Sequence, residues 1–175
     1  ADFDKIAKVV SEDKQSGKNG GDVGYFTALQ LIYPFESVAY NTPVGSIAKP
    51  FKTIYGYHIV KKTGERPSRG EIQVGQIMVA VQASKGAEGE VASKMRIDSV
   101  YNMLKKGGNF ETLVEQYSED KFSKNTKGTL ATFGVGQMTT EFEEAAFGLK
   151  NPGDISQPVK TKFGYHIIKL IKKTP

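Results

Sequence analysis

Between Glu71 and Val81 the chain reads EIQVGQIMVAV, where β-favouring apolar residues alternate with polar or small ones, the pattern of a strand with two unlike faces. A polar, glycine-containing loop follows. The apolar period then changes: Ile97, Val100, Tyr101 and Leu104 stand at i, i+3, i+4 and i+7 and predict a helix, closed by KKGG at Lys105 to Gly108, where glycine suits the left-handed exit. A second helix is expected after Asn109 as N-cap, with Phe110, Leu113, Val114 and Tyr117 on its stripe. Beyond a Gly/Ser/Lys loop at 118–129 come a short strand at 129–133, a helix opened by a capping box from Thr140 to Glu143, and two closing strands within SQPVKTKFGYHIIKLI.

The earlier part of the chain repeats this pattern from the second helix onward. Phe3, Ile6, Ala7 and Val10 take the places of Phe110, Leu113, Val114 and Tyr117, and SEDK at Ser11 to Lys14 returns at Ser118 to Lys121. Phe26, Gln30, Phe35 and Glu36 recur as Phe133, Gln137, Phe142 and Glu143. One residue is inserted in the turn GLKNPG, after which TIYGYHIVKK, from Thr53, recurs as TKFGYHIIKL, from Thr161, with the chain's two histidines 108 residues apart. Two copies at this period are too few and too long for a solenoid, so a duplicated domain of about 100 residues is the expectation. GERPSRG has a linker's composition, which sets a first module at 1–65, a linker at 66–70 and a second module at 71–175. The first module lacks the opening strand and helix, so its sheet is expected to expose unpaired backbone groups.

Composition narrows the function classes. Of the 175 residues 38% are hydrophobic and 25% charged, which reads as globular, and no apolar run approaches the roughly 20 residues of a membrane span. The net charge of +5 divides as +2 and +3 between the halves, with lysines set among acids as in EQYSEDKFSK; a solvated surface is expected rather than a nucleic-acid footprint. Without cysteine there is neither a disulfide framework nor thiolate chemistry. Two distant histidines make a poor zinc set, and no nucleophile–base motif or phosphate-cradling glycine loop is present, so no metal and no cofactor is expected. The chain opens directly into a helical pattern, without the marks of a signal peptide, and the expectation is a mature or shortened product.

GQMTTEFEEAAFGLKNPGDISQPVKTKFGYHIIKL resembles the second half of the parvulin-type (PpiC, rotamase) peptidyl-prolyl cis-trans isomerases, and SEDKQSGKNGGDVGYF resembles the loop and strand before it. The resemblance covers nearly the whole chain, and two joined modules resemble the SurA-type periplasmic foldases. It implies an α+β fold: a four-stranded antiparallel sheet surrounded by helices (FKBP-like), in two copies, the first without its opening strand and helix. It further implies an enzyme acting on X-Pro bonds of unfolded or exported polypeptides, in the periplasm or otherwise exported, without membrane insertion. Self-association completing the first module is a further expectation.

Carried over by position, the resemblance implies an apolar proline cup of Leu130, Met138, Phe142 and Phe163 above His166, Gln76 and Asp120 in the second module. In the first it implies Val23, Leu31, Phe35 and Tyr55 above His58 and Asp13. Turning an X-Pro bond requires loss of amide conjugation against a barrier of roughly 18 to 20 kcal/mol, and needs no covalent intermediate. A site that holds the twisted form better than either planar form lowers that barrier. An apolar cup removes water from the carbonyl, and a hydrogen-bonding floor adapts to its changing charge.

The chain departs from the family pattern in two places. Gln76 stands where the family commonly has a second histidine, and KGTLATF replaces the usual Gly-Gly-Asp and later glycine that GGDVGYF keeps in the first module. Glutamine donates and accepts but does not ionise. QASKGAEGEV, the segment after the first strand, has one lysine and two glutamates and lacks the basic cluster that selects phosphorylated substrates. Bland alternatives stand beside each assignment: His166 shares a strand face with Ile168 and Leu170 as a hydrogen-bonded core residue would, Met138 and Phe142 fit a helix-face core pair, and Asp120 fits a loop cap. At the level of function, the alternative is a peptide-binding chaperone with weak or vestigial isomerase activity. Gln76→His is expected to raise turnover in a proline-peptide exchange assay; a fall refutes the view that glutamine limits the second module.

Overall fold

The structure, a computed structural model, describes residues 2–175 and divides between Ser68 and Arg69 into two units. Unit 1 contains helix α1 (Phe3–Val10), helix α2 (Tyr33–Asn41) and the antiparallel pair β1 (Phe51–Thr53) and β2 (Gly56–His58). Asp2 caps α1, its carboxylate accepting from the Asp4 N–H at 3.3 Å. No residue of α1 is buried, although Phe3, Ile6, Ala7 and Val10 lie along one stripe.

Unit 2 runs β3 (Glu71–Ala80), α3 (Gly86–Lys105), α4 (Phe110–Tyr117), the single turn α5 (Lys121–Lys124), α6 (Thr140–Gly148), β4 (Val159–Thr161) and β5 (Gly164–Thr174). The sheet order is β3-β5-β4, all antiparallel. Every residue of β3 pairs with β5, from Glu71 opposite Thr174 to Ala80 opposite Gly164, with a bulge that passes over Ile171. The sheet's two faces follow from the strand period. Ile77, Val79, Tyr165 and Ile167 pack with Ile97 and Val100 of α3 and Leu113 and Val114 of α4. On the other face Ile72, Val74, Ile168 and Leu170 pack with Phe133, Phe142, Ala146 and Phe147. Fully burying a side chain such as Ile167 or Leu170 contributes roughly 1.5 to 3 kcal/mol, so this two-sided sheet dominates the stability of the unit.

Three sequence expectations change. The sheet has three strands; the fourth line is present only as two isolated bridges to β3, Gly75 with Thr129 and Ile72 with Phe133. Between the two bridges the Leu130 N–H still bonds the Val74 carbonyl at 2.9 Å, so the segment follows β3 without forming a continuous ladder. QASKGAEGEV is helical over most of its length, because α3 begins at Gly86. The capping box is also displaced: the N-cap of α6 is Thr139, without a side-chain bond, and the Glu143 carboxylate reaches back to the Met138 N–H at 2.9 Å. Glu36 does the same to the Leu31 N–H at 2.9 Å, with Ile32 at the cap. The glutamate therefore ties down the residue before the cap, and the threonine is not required.

Gly164 starts β5 at φ +143°, and a Cβ there would lie 2.3 Å from the Val79 carbonyl oxygen of β3. Gly56 starts β2 at φ +134°, yet a Cβ there meets nothing within 4 Å. Both positions share the backbone strain of a substitution, and only Gly164 adds a collision with backbone. Gly164→Ala is expected to destabilise its own hairpin by about 1 to 3 kcal/mol more than Gly56→Ala does, read by hydrogen exchange of the β5 and β2 amides. Equal costs would show that contact with β3 is not what selects glycine.

Candidate functional site

The floor of the site is built where apolar stripes become polar. Along β3, Ile72 and Val74 are followed on the same face by Gln76; along β5, His166 precedes Ile168 and Leu170. Because Gln76 pairs with Ile168, its side chain lies diagonally across from His166, within reach on that face. The Gln76 N–H donates to the Gly128 carbonyl at 2.8 Å, which fixes the strand against the 118–129 loop.

A continuous line of hydrogen bonds connects four side chains. Thr161 Oγ1 and His166 Nε2 are 2.8 Å apart, His166 Nδ1 and Gln76 Oε1 are 2.9 Å apart, and Gln76 Nε2 donates to Asp120 Oδ2 at 2.7 Å. Their chemistry sets the direction of every bond. A carboxylate only accepts, so the amide nitrogen faces Asp120 and the amide oxygen faces the imidazole. That oxygen also only accepts, so the proton of the neutral ring is on Nδ1, and Nε2 receives the Thr161 hydroxyl proton. Thr161 Oγ1 in turn accepts the Phe163 N–H at 3.1 Å, closing the β4–β5 turn. Asp120 caps α5, accepting from the Phe122 N–H at 3.1 Å, the Ser123 N–H at 3.3 Å and the Ser123 hydroxyl.

His166 is 4% exposed, and burial lowers its pKa to about 4, against the smaller opposing pull of the Asp120 charge. Burial raises the Asp120 pKa, but the bonds from Ser123, Phe122 and Gln76 prevail and hold it below the usual carboxylate range. A neutral imidazole beside an ionised carboxylate, bridged by an amide, is thus the stable state of the floor near neutral pH. The Phe142 ring stands edge-on to His166, with centroids 5.5 Å apart and an 85° interplanar angle. Both ring nitrogens are occupied within the protein, so His166 positions its neighbours and offers no free lone pair to a substrate.

The expected cup residues divide. Phe142 is buried and touches the imidazole, and Leu130 is half-buried, its N–H bonded to the Val74 carbonyl at 2.9 Å. Met138 is exposed at the start of α6, and Phe163, on the hairpin turn, is 59% exposed. In unit 1 the same chemistry recurs at lower burial. His58 Nε2 lies 2.7 Å from Thr53 Oγ1, which accepts the Tyr55 N–H at 3.1 Å, and Phe35 stands edge-on to His58 at 5.7 Å and 89°. Asp13 accepts from the Ser16 hydroxyl at 2.5 Å and from the Gln15 N–H at 3.0 Å; chiefly through Ser16, its pKa is lowered. Val23, Leu31 and Tyr55 are exposed and Phe35 is half-buried. Asp13 and His58 have no amide joining them among the described residues, and Phe51 stacks on His58 at 5.4 Å and 27° where unit 2 has Val159.

Sequence reasoning missed the hydroxyls. Thr161 and Ser123 hold the two ends of the floor, and Thr53 and Ser16 hold their counterparts. The signal was present in the repeat itself, since all four recur at matching positions.

Similarity to known proteins bears on this arrangement. A sequence model of the family described as "Rotamase: PPIC-type PPIASE domain" matches residues 1–64 and 77–172. The chain is 33% identical over 177 residues to "Chaperone SurA" of Nitrosococcus oceani, covering 99% of this chain and 41% of that protein. It is 49% identical over 82 residues to "Foldase protein PrsA 2" of Listeria monocytogenes serotype 4b, covering 47% of this chain and 28% of that protein. Among solved structures, the peptidylprolyl isomerase PrsA of Bacillus anthracis aligns with a TM-score of 0.50 at 37% identity, over 61% of this chain and 43% of that one. The chain thus spans about two fifths of the length of the full-length relatives it matches from end to end.

The titration of His166 has a consequence for stability. The unfolded imidazole titrates near 6.5 and the folded one near 4, so between those values the unfolded chain takes up a proton that the native state refuses. Stability is therefore full above pH ~6.5 and falls on acidification to pH ~4, by a total on the order of 3 kcal/mol. Urea midpoints between about pH 7 and about pH 4 are expected to lose most of this slope in His166→Gln. An unchanged slope contradicts the assignment.

Proposed function

The chain belongs to the Rotamase family of PPIC-type PPIase domains, and on that premise we propose that it is a peptidyl-prolyl cis-trans isomerase acting non-covalently on X-Pro bonds of unfolded polypeptides. The observation that carries the proposal is the directed line Thr161–His166–Gln76–Asp120 beneath the edge of Phe142. A prolyl ring set against Phe142, with Leu130, Met138 and Phe163 as further walls, leaves water, while the imidazole of the floor beneath remains neutral and polarisable. As the carbonyl loses conjugation its charge changes, and a preorganised chain of donors and acceptors responds without the reorganisation water would need. Gln76, His166 and Asp120 act in this scheme by holding the cup in shape, and no covalent bond to the substrate forms.

Each unit is a parvulin module in this reading: 1–65 and 71–175, joined by the 66–70 linker. The four-stranded sheet of unit 2 is completed by the bridged 129–133 segment, and unit 1 repeats the pattern of unit 2 from α4 onward. Support comes from the repeated Thr–His, Asp–Ser and Glu–backbone bonds. His58 and Asp13, under Val23, Leu31, Phe35 and Tyr55, form the counterpart site. The words chaperone and foldase in the names of the SurA and PrsA relatives support clients that are unfolded, and an exported location belongs to the proposal; no helix among the described residues is long and apolar enough to cross a membrane.

One observation favours a second reading, a chaperone module with weak isomerase activity: Gln76 cannot ionise, so the floor of unit 2 cannot pass a proton from His166 to Asp120. The test is cis-to-trans exchange on unphosphorylated Ala-Pro peptides. The chain is expected to accelerate exchange, Thr161→Val and His166→Ala to lower kcat/KM by about tenfold, and Thr161→Ser to stay near the parent value because it keeps the hydroxyl. No acceleration above buffer, with peptide binding retained, selects the chaperone reading.

A further inference from the structure

The turn at 27–30, just before α2, is tied at both ends by Gln30, whose N–H donates to the Thr27 carbonyl at 3.4 Å and whose side-chain carbonyl accepts the Thr27 N–H at 2.8 Å. Unit 2 builds the same turn at 134–137, with the Gly134 N–H donating to the Gln137 side chain at 3.3 Å. The third residue of each turn has a left-handed backbone. In unit 2 it is Gly136, at φ +85°; in unit 1 it is Leu29, at φ +69°. Glycine adopts this conformation freely, whereas the Cβ of a leucine crowds the following carbonyl oxygen. No packing within the protein compensates, since Leu29 is 94% exposed.

The conformation is imposed from beneath the turn. The buried Glu36 carboxylate accepts the Leu31 N–H at 2.9 Å; chiefly that bond, joined by those from the Leu29 and Gln30 N–H groups, holds its pKa below the usual carboxylate range against the opposing effect of burial. Successive N–H groups converging on one carboxylate fix the backbone whatever side chain residue 29 carries. A strained residue held by its surroundings, with a side chain that faces only solvent, points to a use outside the fold.

The neighbours of Leu29 state what that use is. Leu31, two residues on, and Tyr55 belong to the cup of unit 1, and Ile54, beside Tyr55, is exposed as well. Unit 2 has Gly136 in place of Leu29 and Lys162 in place of Ile54, the lysine ammonium lying 5.1 Å from the centre of the Phe163 ring. This rim is open in unit 2 too, where β3 and α3 are in place, because Gly136, Met138 and Phe163 are exposed there. Unit 1 therefore extends its cup with apolar side chains at the two positions where unit 2 offers a glycine and a cation. We propose that Leu29 is a specificity-determining residue of the unit 1 site. It packs against a large apolar residue next to the bound proline, so unit 1 selects prolines with apolar neighbours, and the strained backbone is retained because it aims the leucine at the substrate.

The inference rests on reading unit 1 as a proline-peptide site, and one titration separates the two. The end-capped peptides Ala-Leu-Pro-Leu-Ala and Ala-Ala-Pro-Ala-Ala are added to the full chain while NMR follows the Leu31 and Phe35 amides of unit 1 and the Met138 and Phe142 amides of unit 2. The leucine peptide is expected to bind unit 1 about tenfold more tightly than the alanine peptide, through partial burial of its leucines. Leu29→Gly and Leu29→Asn, which suit the left-handed backbone and lack the apolar side chain, are expected to reduce that ratio to about twofold. Leu29→Met is expected to keep it, and all three to leave binding at unit 2 unchanged. Without peptide, Leu29→Gly is expected to slow amide exchange in α2 by about threefold or more, because relief of strain stabilises the unit that loses selectivity. An undiminished ratio in Leu29→Gly and Leu29→Asn overturns the role of Leu29 and leaves the peptide site standing; no response of the unit 1 amides to either peptide overturns both. Unchanged or faster exchange in Leu29→Gly shows that the turn carries no strain to be retained, and overturns the proposal as well.

Discussion

The antiparallel pairing of β3 with β5 is the constraint on which the rest depends. It sets which residues of β5 face each of the two cores, forces glycine at residue 164, and sets Gln76 diagonally beside His166. Each consequence is local geometry, yet together they convert an imidazole on an ordinary strand into a neutral, twice-bonded group beneath an aromatic edge. Unit 1 shows the converse. It has the same Thr–His bond and the same edge-on phenylalanine, but among the described residues no second strand pairs with β2, and there the histidine is half-buried while Tyr57 and Ile59 are exposed.

The floor gains its character from directionality. Because the carboxylate accepts and the hydroxyl is already an acceptor for Phe163, one arrangement of protons satisfies all four side chains. A buried network satisfied in one way only is stiff, and stiffness is what a non-covalent catalyst needs, since it works by fitting a strained geometry better than relaxed ones. Burial of the imidazole also explains why the ring is kept neutral: the Asp120 charge is separated from it by an amide and does not outweigh the loss of water. The Gln76 amide is therefore a spacer as much as a bridge.

Elements carried by strong periodicity were legible. The strand at 71–80 and the helices beginning at Phe110 and Thr140 follow from alternation and from i, i+3, i+4 spacing, and Asn109 acts as the cap its residue type implies. The histidines, Gln76 and Asp120 were identifiable through repetition and family resemblance, and the structure joins the three of unit 2 in one network. Less legible were features decided by contacts distant in sequence. The 129–133 segment meets β3 through two bridges and the Leu130 N–H instead of a full ladder, which its residues alone do not announce. Glu143 bonds the residue before the cap, which sequence spacing alone reads as a box with Thr140.

What the chain determined by itself was the inventory and its duplication: which residues alternate, which lie on one helical stripe, and which chemistry returns 108 positions later. Local preference and period suffice for that, because both act within a few residues of backbone. Burial, the protonation of His166 and the bond from Gln76 to Asp120 were decided by tertiary structure alone. They depend on pairs 44 and 90 residues apart, the second brought together by strand register and the first by the placement of the α5 cap beside β3. The same GYHI sequence is half covered in one unit and sealed in the other, since solvent exclusion belongs to the neighbours a segment acquires and not to the segment.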